Sequence, residues 1–416
     1  MADQRDGGIA WCDETWNPIR GCSRVSPGCE NCYAETVAAR FCDPGMPYHG
    51  LATRKRLVVV DGVEVVRHGA RWTGKVRVIS EHLADPLRWK RPRLVFTNSM
   101  SDMFHESLGD NDIAAMFGIM AACPDHIFQI LTKRSARMRK WFETWESGGV
   151  ASSPVRAALA AQAWLKDYAP KLAARVNGCI AGEIAPWPLP NVHLGVSAEN
   201  QAMADTRVPD LMRCSAAVRW VSYEPGLGPV DFKPWLLGSK TIHLGLDIEG
   251  ALRNKSFDGF TKDGKSLSRR EAEDGLFEMH GRGIKMMPMG DCDSFSDQTG
   301  CPGHPKPRID WIVIGGESGD QARPFDIQWA RDVISQCRAS GVAAFMKQAG
   351  AEARWNGMTN GPIGEQAWPQ GTSIADNMDG SFRVHLKHDK GGDMAELPPD
   401  LRVRMTPGEK WQSLET

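Results

Sequence analysis

Three cysteines, Cys22, Cys29 and Cys32, share one short loop between Gly21 and Tyr33. Three thiolates can hold three irons of a four-iron, four-sulfur (4Fe-4S) cluster and leave the fourth iron open to an outside ligand, which a structural site with four cysteine ligands does not allow. An open iron suits S-adenosylmethionine (SAM). Its amine and carboxylate chelate the iron, the reduced cluster passes one electron to the sulfonium, and the resulting 5'-deoxyadenosyl radical takes a hydrogen atom from substrate. The rival is zinc: Cys12 and Cys42 lie near enough in sequence to supply a fourth thiolate, and a zinc knot would use the same residues without redox chemistry.

The elements that must position this loop follow a repeat. Apolar runs rich in branched residues end in polar tails: Leu94 to Phe96 in Thr97-Asn98-Ser99, Ile127 to Leu131 in Thr132-Lys133-Arg134, and Val192 to Val196 in Ser197-Ala198-Glu199-Asn200. Later come Val218 to Val221 before Ser222-Tyr223-Glu224, Trp311 to Ile314 before Gly315-Gly316-Glu317, and Val342 to Met346 before Lys347-Gln348. Helical spacing follows some of them, as in Ile113, Met116, Phe117 and Met120 after Asp110, and Ile327, Ala330, Ile334 and Cys337 after Asp326. Strand-helix alternation of this kind predicts a parallel α/β sheet curled into a partial (β/α) barrel. The polar tails would then converge at the carboxyl ends of the strands. Cys29 to Phe41 reads as helix, which places the third cysteine near a helix start, where backbone N–H groups favour thiolate.

Three stretches break the repeat. Val58 to Val66, with its Asp61-Gly62 turn, reads as a hairpin inserted at about 55–80. A second insertion, about 143–190, is alanine-rich and helical before it turns rich in proline and tryptophan. The third, 232–308, is polar and glycine-rich. The barrel would occupy 1–231 and 309–350, with a small C-terminal appendage over 351–416.

With 416 residues and 42% hydrophobic content, the chain can bury a barrel-sized core. No apolar run reaches membrane-spanning length, and the first residues carry two acids and no hydrophobic segment, so the chain reads as cytoplasmic and free of the membrane. A net charge of -1 gives no global attraction to nucleic acid, so any such partner must be held locally. Basic stretches are available at Arg54 to Arg56, Arg88 to Arg93 and Lys133 to Lys140. Fifteen tryptophans include Trp89 and Trp141 among those basic residues, where indoles could stack on bases or simply fill a core.

Other candidates stand further along. Gly315, Gly316 and Glu317 would let backbone approach a ligand and add an acceptor, or form a tight strand-to-helix turn. Tyr223 and Glu224 could face substrate. Cys292, Cys301 and His304, with His280 or Asp291, could form a second metal site holding zinc, although their spacing is not a standard zinc pattern.

Taken in order, several motifs resemble the phage-associated three-cysteine-motif family, long catalogued as a domain of unknown function. They are Thr15 to Pro18 leading into Gly21-Cys22, Ser26 to Ala34, Asn98 to His105, Leu131 to Arg134, Gly195 to Gln201, and Gly315 to Gly319 with Ala322-Arg323-Pro324. The resemblance covers about residues 10–350 and implies a barrel of radical-SAM type and a phage or mobile-element context. Against the radical-SAM superfamily itself the chain departs in two ways. Six residues, not three, separate Cys22 from Cys29, with Asn31 where an aromatic is common, and Gly-Gly-Glu follows a late strand instead of the second. By strand order, the likeness implies Asn98, Ser99 and Asp102 for the SAM amine, Lys133 or Arg134 for its carboxylate, and Ser197, Glu199 or Asn200 for the ribose hydroxyls. Ser197 and Asn200 could equally be caps of the next helix.

The combined expectation is a radical-SAM enzyme acting on nucleic acid, DNA before RNA, with an electron donor such as flavodoxin or ferredoxin. It would reverse a lesion, as the spore photoproduct lyases of that superfamily do, or modify a base, with Cys42 or Tyr223 supplying a hydrogen atom to the product radical. Two alternatives stand beside it: a zinc-stabilised, non-enzymatic nucleic-acid-binding or phage-host interaction protein, and a radical-SAM enzyme on a peptide or small metabolite.

Overall fold

The computed structural model describes residues 9–60, 63–148, 153–181, 186–236, 259–260, 266–267, 307–355, 368–369, 372–376 and 381–411. Its centre is a seven-stranded sheet: β1 (Glu14–Trp16), β2 (Leu94–Thr97), β3 (Ile127–Thr132), β4 (Val192–Ser197), β5 (Val218–Tyr223), β6 (Trp311–Gly315) and β7 (Ala343–Gln348). Each strand pairs in parallel with the next in the chain, and the sheet curls into a half-barrel. All six apolar runs are strands. The seventh, β1, is too short and too exposed to show any alternation, and it is secured by pairing Thr15 with Phe96.

Helices α1 (Tyr33–Arg40), α2 (Asp110–Ala121), α3 (Ser135–Ser147), α4 (Ser153–Tyr168), α5 (Pro170–Ala181), α6 (Gln201–Met212) and α7 (Ile327–Ser340) alternate with the strands or fill the insertions. The helical insertion therefore continues from α3, which begins at Ser135, before the expected boundary. Alternate strand residues, such as Phe128, Leu194, Val221 and Ile312, join α2, α4, α6 and α7 in the main core. The opposite, concave face is filled by Trp11, Phe96, Trp220, Trp311, Val313 and Phe345. Trp11 sits edge-on to Phe96, Trp220 and Trp311 at centroid distances of 4.7, 5.2 and 5.9 Å, plugging the hollow of the sheet.

That packing decides between the two readings for Trp141. Trp141 is buried and stacks on Phe117 and Trp145, so it has no face to offer a base. Trp89 lies half-buried, edge-on to His126 and beneath the Arg93 guanidinium.

The hairpin is longer than its valines suggested. Ala52–Val60 runs antiparallel to Val63–Trp72, and Val60 pairs with Val63. The turn residues Asp61 and Gly62 lie outside the described residues. The described residues after Gly350 fall in the same compact unit as the barrel. Ala353–Trp355, Phe382–His385 and Ser373–Asp376 build a small sheet with Phe325–Asp326, while Arg404 bridges Phe345 at the edge of β7. The second unit, 237–307, shows Gly259–Phe260 paired with Ser266–Leu267 among its described residues. The proposed second metal ligands Cys292, Cys301 and His304, with His280 and Asp291, lie outside the described residues. No helix among the described residues is long and apolar enough to cross a membrane.

Candidate functional site

The cysteine loop lies at the carboxyl ends of the strands and is tied to them by three carboxylates. Asp102, after β2, accepts hydrogen bonds from Thr132 Oγ1 at 2.7 Å, the Lys133 amide at 3.1 Å and Arg134 Nη1 at 3.0 Å. Arg134 then reaches the loop, donating to the Ser23 carbonyl at 3.0 Å and placing Nη1 3.7 Å from the Cys22 sulfur. Glu199, after β4, accepts from the Gly28 amide at 3.1 Å and pairs with Arg207 of α6 at 2.8 Å. Glu317, after β6, accepts from Asn31 at 3.0 Å and pairs with Arg323 at 2.6 Å, and Arg323 also donates to the Pro27 carbonyl.

Local sequence explains why the loop can dock. Ser26 and Pro27 start a single 3-10 turn, Pro27–Cys29, and Cys32 is the N-cap of α1. Gly28 passes so close to Glu199 that a Cβ there would stand 2.9 Å from the carboxylate. On the far side, Arg24 pairs with Glu35 of α1, and buried Glu35 accepts the Trp72 amide at 2.7 Å. Tyr33 donates to the Ser99 carbonyl at 2.8 Å, and Asn17 holds Ser99 Oγ and the Met100 amide at 3.1 and 3.0 Å.

Electrostatics at the sulfurs follow from burial and nearby cations. Burial pushes the Cys22 thiol up to about 12, against the pull of Arg134. Burial also raises Cys32, opposed by the backbone of Glu35 and by the Lys133 charge. In both carboxylates at the loop, burial works upward but is outweighed, in Glu199 by Lys133 and Arg207 and in Glu317 by Arg323 and Asn31, so both sit below the ordinary range. Burial likewise disfavours the Arg134 cation, yet Asp102, Cys22 and Glu106 outweigh it.

Elsewhere around the mouth, Lys133 Nζ donates to Ser197 Oγ at 3.1 Å, and Lys347 pairs with Glu224 at 2.5 Å. Of the candidate cofactor residues, Ser99, Asp102, Lys133, Arg134, Ser197, Glu199 and Glu317 gather here. Asn98 has φ 62, a left-handed conformation that asparagine tolerates. Its amide nitrogen lies 3.9 Å from Met116 Sδ of α2, on the helical side. Asn200 caps α6 by accepting from the Met203 amide at 3.0 Å. A Cβ on Gly316 would fall 2.2 Å from the Ala349 carbonyl, so backbone packing demands that glycine, while a Cβ on Gly315 would crowd Glu224 at 3.3 Å.

The two proposed hydrogen donors lie in different surroundings. Tyr223 is buried among Phe232 and Phe325, with its hydroxyl donating to the Gly228 carbonyl at 2.6 Å, so it faces the helical layer. Cys42 packs with Cys22 and Cys32 against an apolar cluster of Ala34, Ala38, Tyr48, Leu51, Ala52 and Trp72. Cys12 lies with the concave core, its thiol directed at the Ile9 carbonyl.

Sequence reasoning missed Ser23, Glu35, Arg207, Arg323 and Lys347. Arg323 sits in a quoted motif and Lys347 in a strand tail, but Glu35 looks like any acid on a helix face until Trp72 is brought to it.

The donor set can be matched to a cluster. Among the described residues no three or more of His, Cys, Asp and Glu gather closely enough to hold one metal ion. Two cations, Arg134 and Lys133, act on the sulfurs. Ser101, which pairs with Gly21 in the backbone, has a buried Oγ with no hydrogen-bond partner among the described residues, a donor available to a cluster sulfide or a bound ligand. These features fit a 4Fe-4S group.

No curated protein and no solved structure matches the chain. Residues 6–412 match a family described as protein of unknown function (DUF5131), and the chain belongs to that family.

Proposed function

We propose that the chain is a radical-SAM-type enzyme of the phage-associated three-cysteine kind, acting on DNA by lesion repair or base modification. One observation carries this reading: the loop bearing Cys22, Cys29 and Cys32 is tied across the carboxyl ends of strands β2, β3, β4 and β6 by Asp102 with Arg134, Glu199 and Glu317. Function in such barrels gathers at that end.

Cys22, Cys29 and Cys32 would hold the cluster. When bound with SAM, that group supplies reductive cleavage of the sulfonium and hydrogen-atom abstraction from substrate. The chain's own residues do the rest. Arg134 and Lys133 offset negative charge at the sulfurs, and Asp102 orients Arg134. Ser197, held by Lys133, and Glu224, held by Lys347, are polar groups at the same strand ends that would be available to a bound nucleoside. The concave aromatic core lies beneath.

Anaerobic reconstitution tests the reading. Iron and acid-labile sulfide should load together, and reduced protein should produce 5'-deoxyadenosine from SAM, faster with UV-irradiated DNA. Zinc without sulfide, or no SAM cleavage, would defeat it.

A further inference from the structure

We propose that the antiparallel ribbon Ala52–Trp72 is a grip for duplex DNA, rooted beside the cysteine loop. This rests on the nucleic-acid reading above and names the element that would carry it.

Charge comes first. The ribbon holds five lysines and arginines against two acids, a net of +3, in a chain whose net charge is -1. Lys55 and His68 are exposed and directly opposite one another, and the register also sets Arg56 opposite Arg67. The register thus sets basic residues in adjoining pairs along the ribbon, and a polyanion lying along it meets that concentrated charge. Arg54 at the root pairs with Asp43, and in the other basic stretches Arg88 pairs with Asp85, Arg93 with Glu14, Arg137 with Asp110, and Arg139 with Asp210 and Glu143, while Lys55 stands exposed in the ribbon.

Shape comes second. Strands of nine and ten residues make an arm about 30 Å long. A bulge between Thr53 and Lys55, with Gly69 at φ 144, twists it near its base. The major groove of B-form DNA admits a two-stranded ribbon, whereas that of A-form RNA is too deep and narrow. Val66, on the same face of the ribbon as Lys55 and His68, is exposed toward the tip and suited to a thymine methyl group.

Attachment comes third. The root residues Ala52 and Trp72 belong to the apolar cluster against which Cys22 and Cys32 pack. Glu35 joins the Trp72 amide to Arg24 of the loop. A duplex held by the ribbon is therefore held next to the cysteines.

The test is fluorescence anisotropy of full-length protein on a labelled DNA duplex across a salt series. The triple variant Lys55→Gln/Arg56→Gln/Arg67→Gln should lower the slope of log affinity against log salt by roughly 2 to 3 and weaken binding at least roughly tenfold. Should that variant fold poorly, exposed Lys55→Gln alone should lower the slope by about 1. Lys90→Gln/Arg91→Gln, at a pocket by the amino ends of the strands, serves as control and should leave the slope unchanged. If wild-type protein binds duplex DNA but the ribbon variants keep its slope, or the control loses it, the ribbon assignment is overturned and the nucleic-acid reading survives. Wild-type protein that binds no duplex defeats both, and preference for duplex RNA defeats the groove assignment. SAM cleavage without DNA should be equal in wild-type and ribbon variants, since these side chains are not cluster ligands.

Discussion

The Gly28 amide donates to Glu199 across 171 residues of sequence, and the carboxylate stands 2.9 Å from where a Cβ on Gly28 would be. That contact closes the loop onto β4, and Glu199 is fully buried with Arg207 as its charge partner. Glu199→Ala should destabilise the fold by about 3 kcal/mol, because Arg207 is left as a buried unpaired cation. Gly28→Ala should cost about 1 kcal/mol by overpacking. Urea unfolding of both variants measures this, and a Glu199→Ala midpoint equal to wild type would refute the tie.

The cysteines should separate into two classes. Cys22→Ala, Cys29→Ala and Cys32→Ala should each lose cluster iron on reconstitution, while Cys12→Ala and Cys42→Ala should retain it. Iron and sulfide assays after gel filtration decide this. Loss of metal in Cys42→Ala would show that a fourth thiolate takes part.

His193 sets a pH dependence. Burial lowers its pKa from 6.5 to about 4, so the unfolded chain takes up a proton below pH 6.5 while the folded protein resists until about 4. Stability from this source is complete above pH 6.5 and declines as pH falls toward 4, by about 3 kcal/mol across the window. His193→Gln should flatten that part of the curve. Unfolding midpoints at neutral and acid pH provide the comparison, and an unchanged slope would remove His193 as the cause.

Trp11 should be the most sensitive residue of the concave core. It touches Phe96, Trp220 and Trp311, on strands β2, β5 and β6. Trp11→Ala should cost about 4 kcal/mol, because three rings surround the cavity it leaves. Thermal unfolding followed by circular dichroism reads the loss, and a shift of under about 1 kcal/mol would mean the hollow is not held open by this plug.

Six of the seven strands were legible because branched apolar residues are what a doubly covered parallel strand requires. The first was not, since Glu14 to Trp16 shows one buried side chain and takes its structure from Leu94–Thr97, far along the chain. The cysteine loop was legible from spacing alone. Its fastenings were not: Arg134 and Cys22 are 112 residues apart, and nothing local to either residue signals the other. Tryptophan abundance was equally visible but misleading at Trp141, where a ring placed among charges in sequence turns inward on a helix.

Strands β1 and β7 are the two ends of the sheet and do not pair with each other. An arch without a closing hydrogen-bonded hoop has no fixed span of its own. Here the cysteine loop runs across it like a bowstring, anchored at Asp102, Glu199 and Glu317. Those three ties, with the Trp11 plug beneath, join strands that the sheet's own hydrogen bonds leave unclosed.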